Sequence, residues 1–414
     1  MALTHTNVDS SAEASQSLAE PIPNTDNLLI SLTSQPPESL EATLTNLALA
    51  FRDKPDTQSI LVATPDGAHP VASSPSFGLL RIIPFIAATP PSAHLFLTAA
   101  DYLSTFKLAQ EHNATACLIL GAECHSLSLD TIRALAAAVA NSAADLAVPR
   151  YQIGPNEGLV NSAILFPVTR ALFGARPRFP LAIDFGLSLR MAERIALTAQ
   201  KFTATGQDDA ILWPVSEAAA VNFIVTEVEG GTRTPPQPAS TTLNALLAQI
   251  AGSLFADIDA KANIWQRARK ASLNRQAQSS QSQPESWPDV TPMIDAFSLA
   301  YTNLSEIWSL VLPPNSLLGL KRLSATPPAT FRMSDALWTR IVYDFILAYR
   351  LRTINRGHLL GALTPLYLAW VASHIILAQG GTSPEVHIED QAAAFENDKP
   401  YIVSRWRWPD RFNP

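Results

Sequence analysis

ACLILGAECHS, Ala116–Ser126, is the stretch from which the rest of the chain can be interpreted. Its first half, Ala116–Leu120, is a short apolar run that stops at a glycine, which indicates a buried strand of an α/β sheet. Ligands of open α/β sheets bind outside the carboxyl ends of the strands. Because Glu123, Cys124 and His125 follow this strand directly, we expect a functional site in this turn.

Apolar runs alternate with helical spacings on both sides of this strand. We predict further strands at residues 27–32, 59–63, 79–83, 145–148 and 223–228. We predict helices from Pro37 to Phe51 and at residues 92–112, 128–140, 160–172, 187–200 and 241–270. Strands that alternate with helices indicate a mostly parallel sheet with crossover helices. The sequence therefore predicts an α/β fold with Ala116–Leu120 near the centre of its sheet.

The chain divides into five predicted segments. Residues 1–26 are rich in Ser, Thr, Asn and Ala and contain no Lys or Arg, which predicts a disordered tail and not a targeting peptide. Residues 27–230 form the α/β domain, and 231–271 form a loop and a long helix. Residues 272–287 are a Gln/Ser-rich linker, and residues 288–414 form a C-terminal helical domain with an N-cap at its Ser334.

Composition excludes some classes of function. The 414 residues carry a net charge of −7, which argues against binding nucleic acid through phosphate neutralisation. The two cysteines, Cys117 and Cys124, are too few for a disulfide scaffold or a zinc site. We therefore expect a cytoplasmic protein.

One apolar segment, Leu359–Gln379, is about long enough to cross a bilayer and carries no Asp, Glu, Lys or Arg. Its interior contains Pro365 and His374, which favours a buried helix, so no membrane span is expected. We expect it to pack against the helix at 241–270 and against an apolar stripe formed by Leu337, Ile341 and Phe345. A membrane-associated interaction protein built on this segment remains the alternative.

Several short motifs give the chain a family resemblance. They are VPRY (Val148–Tyr151), Asn161-Ser162, PVTRALFG (Pro167–Gly174), DFGLS (Asp184–Ser188), RIVYDF (Arg340–Phe345), HLL (His358–Leu360) and LTPLY (Leu363–Tyr367). In order and spacing they resemble GT-A glycosyltransferases related to glucosyl-3-phosphoglycerate synthase and mannosylglycerate synthase. The resemblance runs from about Asn27 to the end. It implies a GT-A nucleotide-diphospho-sugar transferase fold with a C-terminal helical domain.

The resemblance also implies a reaction. These enzymes transfer a hexose from a nucleotide-diphosphate sugar to a small hydroxy acid, such as glycerate or phosphoglycerate, and retain the anomeric configuration. A divalent cation, Mg²⁺ or Mn²⁺, neutralises the diphosphate leaving group. The implied partners are the nucleotide-sugar and the hydroxy-acid acceptor, and a homodimer stays open as an assembly.

The resemblance assigns roles to residues of this sequence. Asp184 would be the catalytic carboxylate, facing the sugar or the acceptor hydroxyl, with a helix N-cap as its alternative role. The implied donor-binding residues are Ser34, Asp66, Gly67, Ala122 and Glu123. The implied acceptor-binding residues are Arg150, Tyr151, Asn161, Ser162, Phe185 and Gly186. A surface ion pair is the alternative for Arg150, and a helix-capping pair is the alternative for Asn161 and Ser162.

The donor side departs from the family pattern. The family's metal-binding Asp-x-Asp reads Gly121-Ala122-Glu123 here, so Glu123 is the remaining candidate metal ligand, with a solvated carboxylate as its alternative. No His occurs between Arg233 and Pro236, where the family has a second ligand. We therefore expect slow or absent transfer with ordinary donors and weak, metal-insensitive nucleotide binding. We expect Gly121→Asp with Glu123→Asp to restore Mn²⁺-dependent binding. The rival hypothesis is a relative that binds a ligand or partner without transfer.

Overall fold

The computed structural model describes residues 28–52, 60–66, 69–73, 77, 80–87, 95–233, 242–268 and 287–409. The predicted tail at 1–26, the donor-side Gly67 and residues 272–286 of the predicted linker lie outside the described residues. Within the described ranges, a central sheet carries buried apolar side chains on both faces, and a large helical region follows residue 242.

The described residues form a seven-stranded sheet with the order β3-β2-β1-β4-β6-β5-β7. The strands are β1 Leu28–Leu32, β2 Ile60–Thr64, β3 Leu80–Pro84, β4 Ala116–Leu120, β5 Leu146–Gln152, β6 Asp184–Ser188 and β7 Val225–Thr232. Every pairing is parallel except those of β6, which runs antiparallel to β4 and β5. The predicted α/β class, the mostly parallel sheet and the central place of β4 are confirmed.

Strand β6 is a correction to the sequence analysis, which predicted no strand at DFGLS. Its first residue, Asp184, is therefore not the N-cap of a helix; that position belongs to Ser188, whose Oγ accepts a hydrogen bond from the backbone N–H of Met191. Gly186 in β6 lies so close to the helix Leu129–Ala140 (α3) that a Cβ would meet the backbone oxygen of Leu135 at 2.9 Å. A glycine is needed there because any side chain would push the helix off the sheet.

Six helices cover the sheet in the described part of the chain before residue 242. They are α1 Pro37–Ala50, α2 Ala99–Glu111, α3 Leu129–Ala140, α4 Phe166–Phe173, α5 Leu189–Thr203 and α6 Pro214–Ala220. A π-helical segment, Asn161–Leu165, leads into α4. Its N-cap position is occupied by Val160, so the predicted capping role of Asn161 and Ser162 is wrong.

The C-terminal region is helical, as predicted. It contains α7 Leu243–Ala260, α8 Ala262–Trp265, α9 Thr291–Ser309, α10 Pro314–Ser324, α11 Asp335–Leu351, α12 Arg356–Gln379 and α13 Pro384–Arg407. The N-cap of α11 is Ser334, as predicted, and its Oγ accepts from the N–H of Leu337 at 3.3 Å. The helices share one apolar core with the sheet, and the buried indole of Trp338 donates to the carbonyl of Ala163 at 2.7 Å.

Helix α12 passes the length and hydropathy test for a membrane span, with a mean hydropathy of 1.6 in its most apolar window. However, 72% of that window is buried inside the fold. The helix packs against α9, α7 and α11. The predicted burial of this segment is confirmed, because its apolar surface has partner surfaces within the described chain.

Candidate functional site

A buried carboxylate lies at the carboxyl edge of the sheet. Because β6 runs antiparallel to β4, its first residue, Asp184, pairs with Leu120 at the end of β4. The Asp184 side chain is 0% exposed. Its oxygens accept hydrogen bonds from the N–H of Gly121 at 3.1 Å and from the hydroxyl of Tyr151 at 2.8 Å. The antiparallel strand thus brings a carboxylate to the edge where parallel strands end and ligands bind.

The partner of this carboxylate is Arg233, directly after β7. Its Nε and Nη2 lie 3.0 and 3.3 Å from the two oxygens of Asp184, which is a bidentate ion pair. The same guanidinium donates to the carbonyls of Ala122 and Glu123 and, at 3.0 Å, to Oγ of Ser126. Arg233 is 3% exposed, so its guanidinium is buried where it contacts the carboxyl end of β4.

We call Asp184, Tyr151 and Arg233 the strand-end cluster. Burial lowers the pKa of Arg233, but the charge and hydrogen bonds of Asp184 outweigh it and raise this pKa overall. Burial, followed by the charge of Asp184, raises the pKa of Tyr151 well above its usual value. At neutral pH, Arg233 therefore carries its charge and Tyr151 keeps its proton. The sequence analysis missed Arg233 as a functional residue, although it noted that this position lacks the family's His.

The divalent cation that the resemblance implied does not fit these residues. At Gly121, the first Asp-x-Asp position, a Cβ would lie 2.6 Å from the backbone oxygen of Ile183, so no carboxylate can stand there without moving the backbone. Glu123 has a left-handed backbone with φ 58°, and its carboxylate lies 3.7 Å from Nδ1 of His125. Among the described residues, no group of three or more His, Cys, Asp or Glu is arranged to hold a metal ion.

Two of the predicted donor-binding residues meet at the ends of β1 and β2. The hydroxyl of Ser34 donates to both oxygens of Asp66 at 3.1 and 3.0 Å. The N–H of Gln35 donates to the same carboxylate at 2.8 Å. Ala122 and Glu123, at the end of β4, contribute their carbonyls to Arg233. The structure therefore places these predicted residues at the ends of three neighbouring strands.

The predicted acceptor-binding residues fall into three groups. Arg150 lies 4.0 Å from Glu385 of α13, with a side chain 17% exposed, so its ion pair is mostly buried. Glu385 also pairs with Arg178 at 3.3 Å. Arg178 in turn donates to Ser162 Oγ at 2.9 Å and accepts, through its carbonyl, from Asn161 Nδ2 at 2.9 Å. This group joins the sheet to α13, whereas Tyr151 belongs to the strand-end cluster.

Phe185 and Gly186, the remaining predicted acceptor residues, are buried within β6. Phe185 is 0% exposed and belongs to the apolar core. Gly186 faces α3, as described above. Both positions support the strand that carries Asp184.

A cavity of about 370 Å³ lies beside the strand-end cluster. Tyr151, Arg233 and Asn161 contribute to its wall, together with Asn156 and Glu157. Most of the remaining wall is apolar and includes Leu95, Phe96, Ile153, Leu159, Phe179 and Leu246. Its volume is in the range typical of small-molecule sites.

A larger cavity of about 770 Å³ lies between α5, α6 and α7 and shares no lining residue with the strand-end cluster. Four of the charged side chains in its wall pair with one another. Lys261 lies 2.8 Å from Glu217 and also pairs with Asp257, and Arg194 lies 3.1 Å from the Glu217 carboxylate. The smaller cavity is therefore the candidate site, because it lies at the ligand-binding edge of the sheet.

The matches between this chain and known proteins lie among solved structures. No protein-family model matches the sequence, and no curated protein matches it. Among solved structures, glucosyl-3-phosphoglycerate synthase from Mycobacterium tuberculosis with phosphoglyceric acid matches at 13% identity and a TM-score of 0.35, covering 57% of this chain and 80% of that one. The same enzyme with Mn²⁺ and UDP-glucose matches at 15% identity and a TM-score of 0.35, covering 57% and 79%.

Residues 1–349 of S. aureus TarS, in complex with UDP-GlcNAc, match over 79% of this chain and 88% of that one. The identity is 11% and the TM-score 0.35. Because all three TM-scores lie below 0.5 and all three identities below 25%, these matches do not identify an activity or a substrate for this chain.

Proposed function

We propose that this protein transfers a hexose from a nucleotide-diphosphate sugar to a hydroxylated acceptor, without a divalent cation, at the carboxyl end of β4. The observation that carries the proposal is the cavity beside the strand-end cluster, at the edge where α/β sheets bind ligands. The class of reaction comes from the sequence motifs, which resemble those of GT-A glycosyltransferases. Retention of the anomeric configuration is part of the proposal.

Each member of the strand-end cluster has a separate part in this proposal. Arg233, held by Asp184, occupies the strand end where the family uses a metal ion, and it positions the carbonyls of Ala122 and Glu123 there. Tyr151 lines the cavity, and its hydroxyl can accept a hydrogen bond from an acceptor hydroxyl while donating to Asp184. Asp184 is fully buried, so it acts as a positioning residue through Tyr151 and Arg233.

The acceptor is a hydroxyl compound in this proposal. Binding of a small acid such as phosphoglycerate would need a cationic partner. Arg150, a predicted acceptor residue, and Arg178, which donates to Ser162, are both engaged by Glu385. Arg233 is engaged by Asp184.

A second candidate function is ligand binding without transfer. The observation that favours it is the complete burial of Asp184, which prevents direct contact between this carboxylate and a sugar. In this alternative, the cavity and the ends of β1, β2 and β4 still bind a ligand. The strand-end cluster then serves only to hold the edge of the sheet.

The test is a screen of UDP- and GDP-sugars by thermal shift, carried out with the full chain in Mn²⁺ and again in EDTA. A ligand that binds only the native state raises the melting temperature. We expect at least one nucleotide-sugar to give the same rise in both conditions, and incubation with acceptors to release the nucleotide diphosphate. Binding without release supports the second candidate. Failure of every nucleotide-sugar, or binding that depends strictly on Mn²⁺, would overturn the proposal.

A further inference from the structure

The side chains that line the 370 Å³ cavity indicate the chemical class of the acceptor. Most of its lining side chains are aliphatic or aromatic. They come from two separate parts of the chain, with Ile153 and Leu159 in the segment after β5 and Leu246 in α7. A ligand with an apolar body would remove water from this surface, which is the main source of affinity in such sites.

The charged residues of the wall also favour a ligand without a charge. Among the described residues that line the cavity, Arg233 and Glu157 are the charged ones. Arg233 is paired with Asp184, and the Glu157 carboxylate accepts from the N–H of Gly154 at 2.9 Å. An acidic ligand would therefore bring a negative charge into a mostly apolar cavity whose cation is already neutralised, and burying an unpaired charge is costly.

One side chain of the wall, that of Asn156, carries an unsatisfied polar atom. Oδ1 of Asn156 is buried and has no hydrogen-bond partner in the part of the chain that the structure describes. Buried polar atoms are normally satisfied, so a hydroxyl group that donates to this oxygen would complete the site. Together with the hydroxyl of Tyr151, it gives the cavity a small polar part within apolar walls.

We infer that this cavity takes a neutral amphipathic alcohol, with an apolar body of about eight to ten carbon atoms, as the acceptor of the transfer. The inference rests on the proposed function and names its substrate class. In the transfer, the alcohol oxygen forms a bond to the anomeric carbon of the sugar. The bond from that carbon to the diphosphate oxygen breaks, and the hydroxyl proton leaves with the departing nucleotide diphosphate.

The test measures binding of 1-octanol to the full chain by calorimetry, without any nucleotide-sugar, with glycerate and 3-phosphoglycerate as comparison ligands. We expect the dissociation constant of octanol to be at least tenfold lower than that of either acid. Burial of apolar surface should also give a negative heat-capacity change. Tighter binding of either acid, or no octanol binding, would overturn the inference. The nucleotide-sugar screen contains no octanol, so failure of the proposed function is detected separately.

Two variants locate the binding. Leu246→Trp places a larger side chain in the cavity wall, and Leu243→Trp makes the same change on an exposed position of the same helix. We expect the first to weaken octanol binding at least tenfold and the second to leave it unchanged. If Leu246→Trp does not fold, Leu159→Trp, in the helical turn directly before the π-helical segment, takes its place. Equal octanol binding by the lining variant and the exposed control would place the ligand elsewhere and refute the inference.

Discussion

Two fully buried aspartates in this molecule face arginines, one at the sheet edge and one among the C-terminal helices. Asp184 uses both oxygens: Oδ1 accepts from Gly121 and Arg233, and Oδ2 accepts from Tyr151 and Arg233. Asp344, on α11, uses one: its Oδ1 accepts from Tyr401 and Arg405, both at 2.7 Å. Oδ2 of Asp344 has no hydrogen-bond partner within the described chain.

The difference between these carboxylates is in how completely each is paired. Burial raises the pKa of Asp344 to about 7, and the charge of Arg405 and the hydrogen bond from Tyr401 offset only part of this effect. A buried carboxylate with one unpaired oxygen binds a proton more readily, because the neutral form avoids the desolvation cost of the charge. The bidentate pair of Asp184 and Arg233, supported by two further donors, also lies beside a cavity. Pairing of this completeness at a ligand-binding edge is therefore a stronger sign of a site than burial alone.

The largest expected effect comes from removing the arginine of the first pair. Arg233→Met should lower the free energy of unfolding by about 3–5 kcal/mol, because it leaves the charge of Asp184 buried without its partner. Arg405→Met should cost less at pH 7, since Asp344 can take a proton there. Urea unfolding of both variants at pH 7 measures the difference.

The matched control is the double variant Asp184→Asn, Arg233→Met, which removes both charges and should recover much of the lost stability. Asp184→Ala alone should resemble Arg233→Met. This expectation replaces the loss of about 1 kcal/mol that a helix cap would give, because Ser188 is the cap. Equal losses in Arg233→Met and Arg405→Met would show that the two pairs do not differ as described.

The pH dependence of stability should reveal the second carboxylate. Asp344 has a folded-state pKa of about 7, raised above its unfolded value, so the folded state binds its proton more tightly. The stability that this proton contributes is fully present below about pH 4 and is lost as the pH rises through 7. Because each tenfold change in proton affinity corresponds to about 1.4 kcal/mol, the loss is at most about 4 kcal/mol.

Asp344→Asn should remove this dependence, because its side chain does not titrate. The measurement is urea unfolding of wild type and variant between pH 4 and 8, and the quantity of interest is the difference between the two curves. A difference that stays constant across this range would contradict a raised pKa for Asp344.

A smaller effect tests the close approach at Gly121, which has no counterpart around Asp344. Gly121→Ala should cost about 1–3 kcal/mol, because its Cβ would meet the backbone oxygen of Ile183 at 2.6 Å. Gly361→Ala, where a Cβ would meet nothing nearer than 4.0 Å, is the control and should be neutral or stabilising. Thermal unfolding compares the two.

The same geometry argues against the metal binding that the sequence predicts for a double variant. Gly121→Asp with Glu123→Asp should not create Mn²⁺ binding, since the new carboxylate cannot occupy the strand end without moving the backbone. A rise in melting temperature with Mn²⁺ in this double variant, absent in wild type, would show that the backbone yields and that a metal site forms.

Sequence patterns predicted much of the fold, because its strands are local apolar runs. Ala116–Leu120 is buried throughout and lies at the centre of the sheet, as expected. DFGLS was missed as a strand because it is short, contains a glycine, and owes its extended form to pairing with β4 and β5. The pairing of Asp184 with Arg233 joins residues 49 positions apart, so no pattern in the local sequence predicts it.

Removal of one hydroxyl beside each carboxylate separates the two carboxylates by function. Tyr151→Phe and Tyr401→Phe each remove one hydroxyl that donates to a buried aspartate. Each should lower the free energy of unfolding by about 1.5–3 kcal/mol, the usual range for a hydrogen bond to a charged group, with Tyr401→Phe at the lower end because Asp344 can be protonated at pH 7. Of these two tyrosines, Tyr151 is the one that lines the cavity. Tyr151→Phe should therefore also reduce release of nucleotide diphosphate about tenfold or more, which corresponds to at least ~1.4 kcal/mol in the barrier, while Tyr401→Phe leaves it unchanged. Equal rates in Tyr151→Phe and wild type would remove the strand-end cluster from the reaction and leave it as a structural pair like that of Asp344.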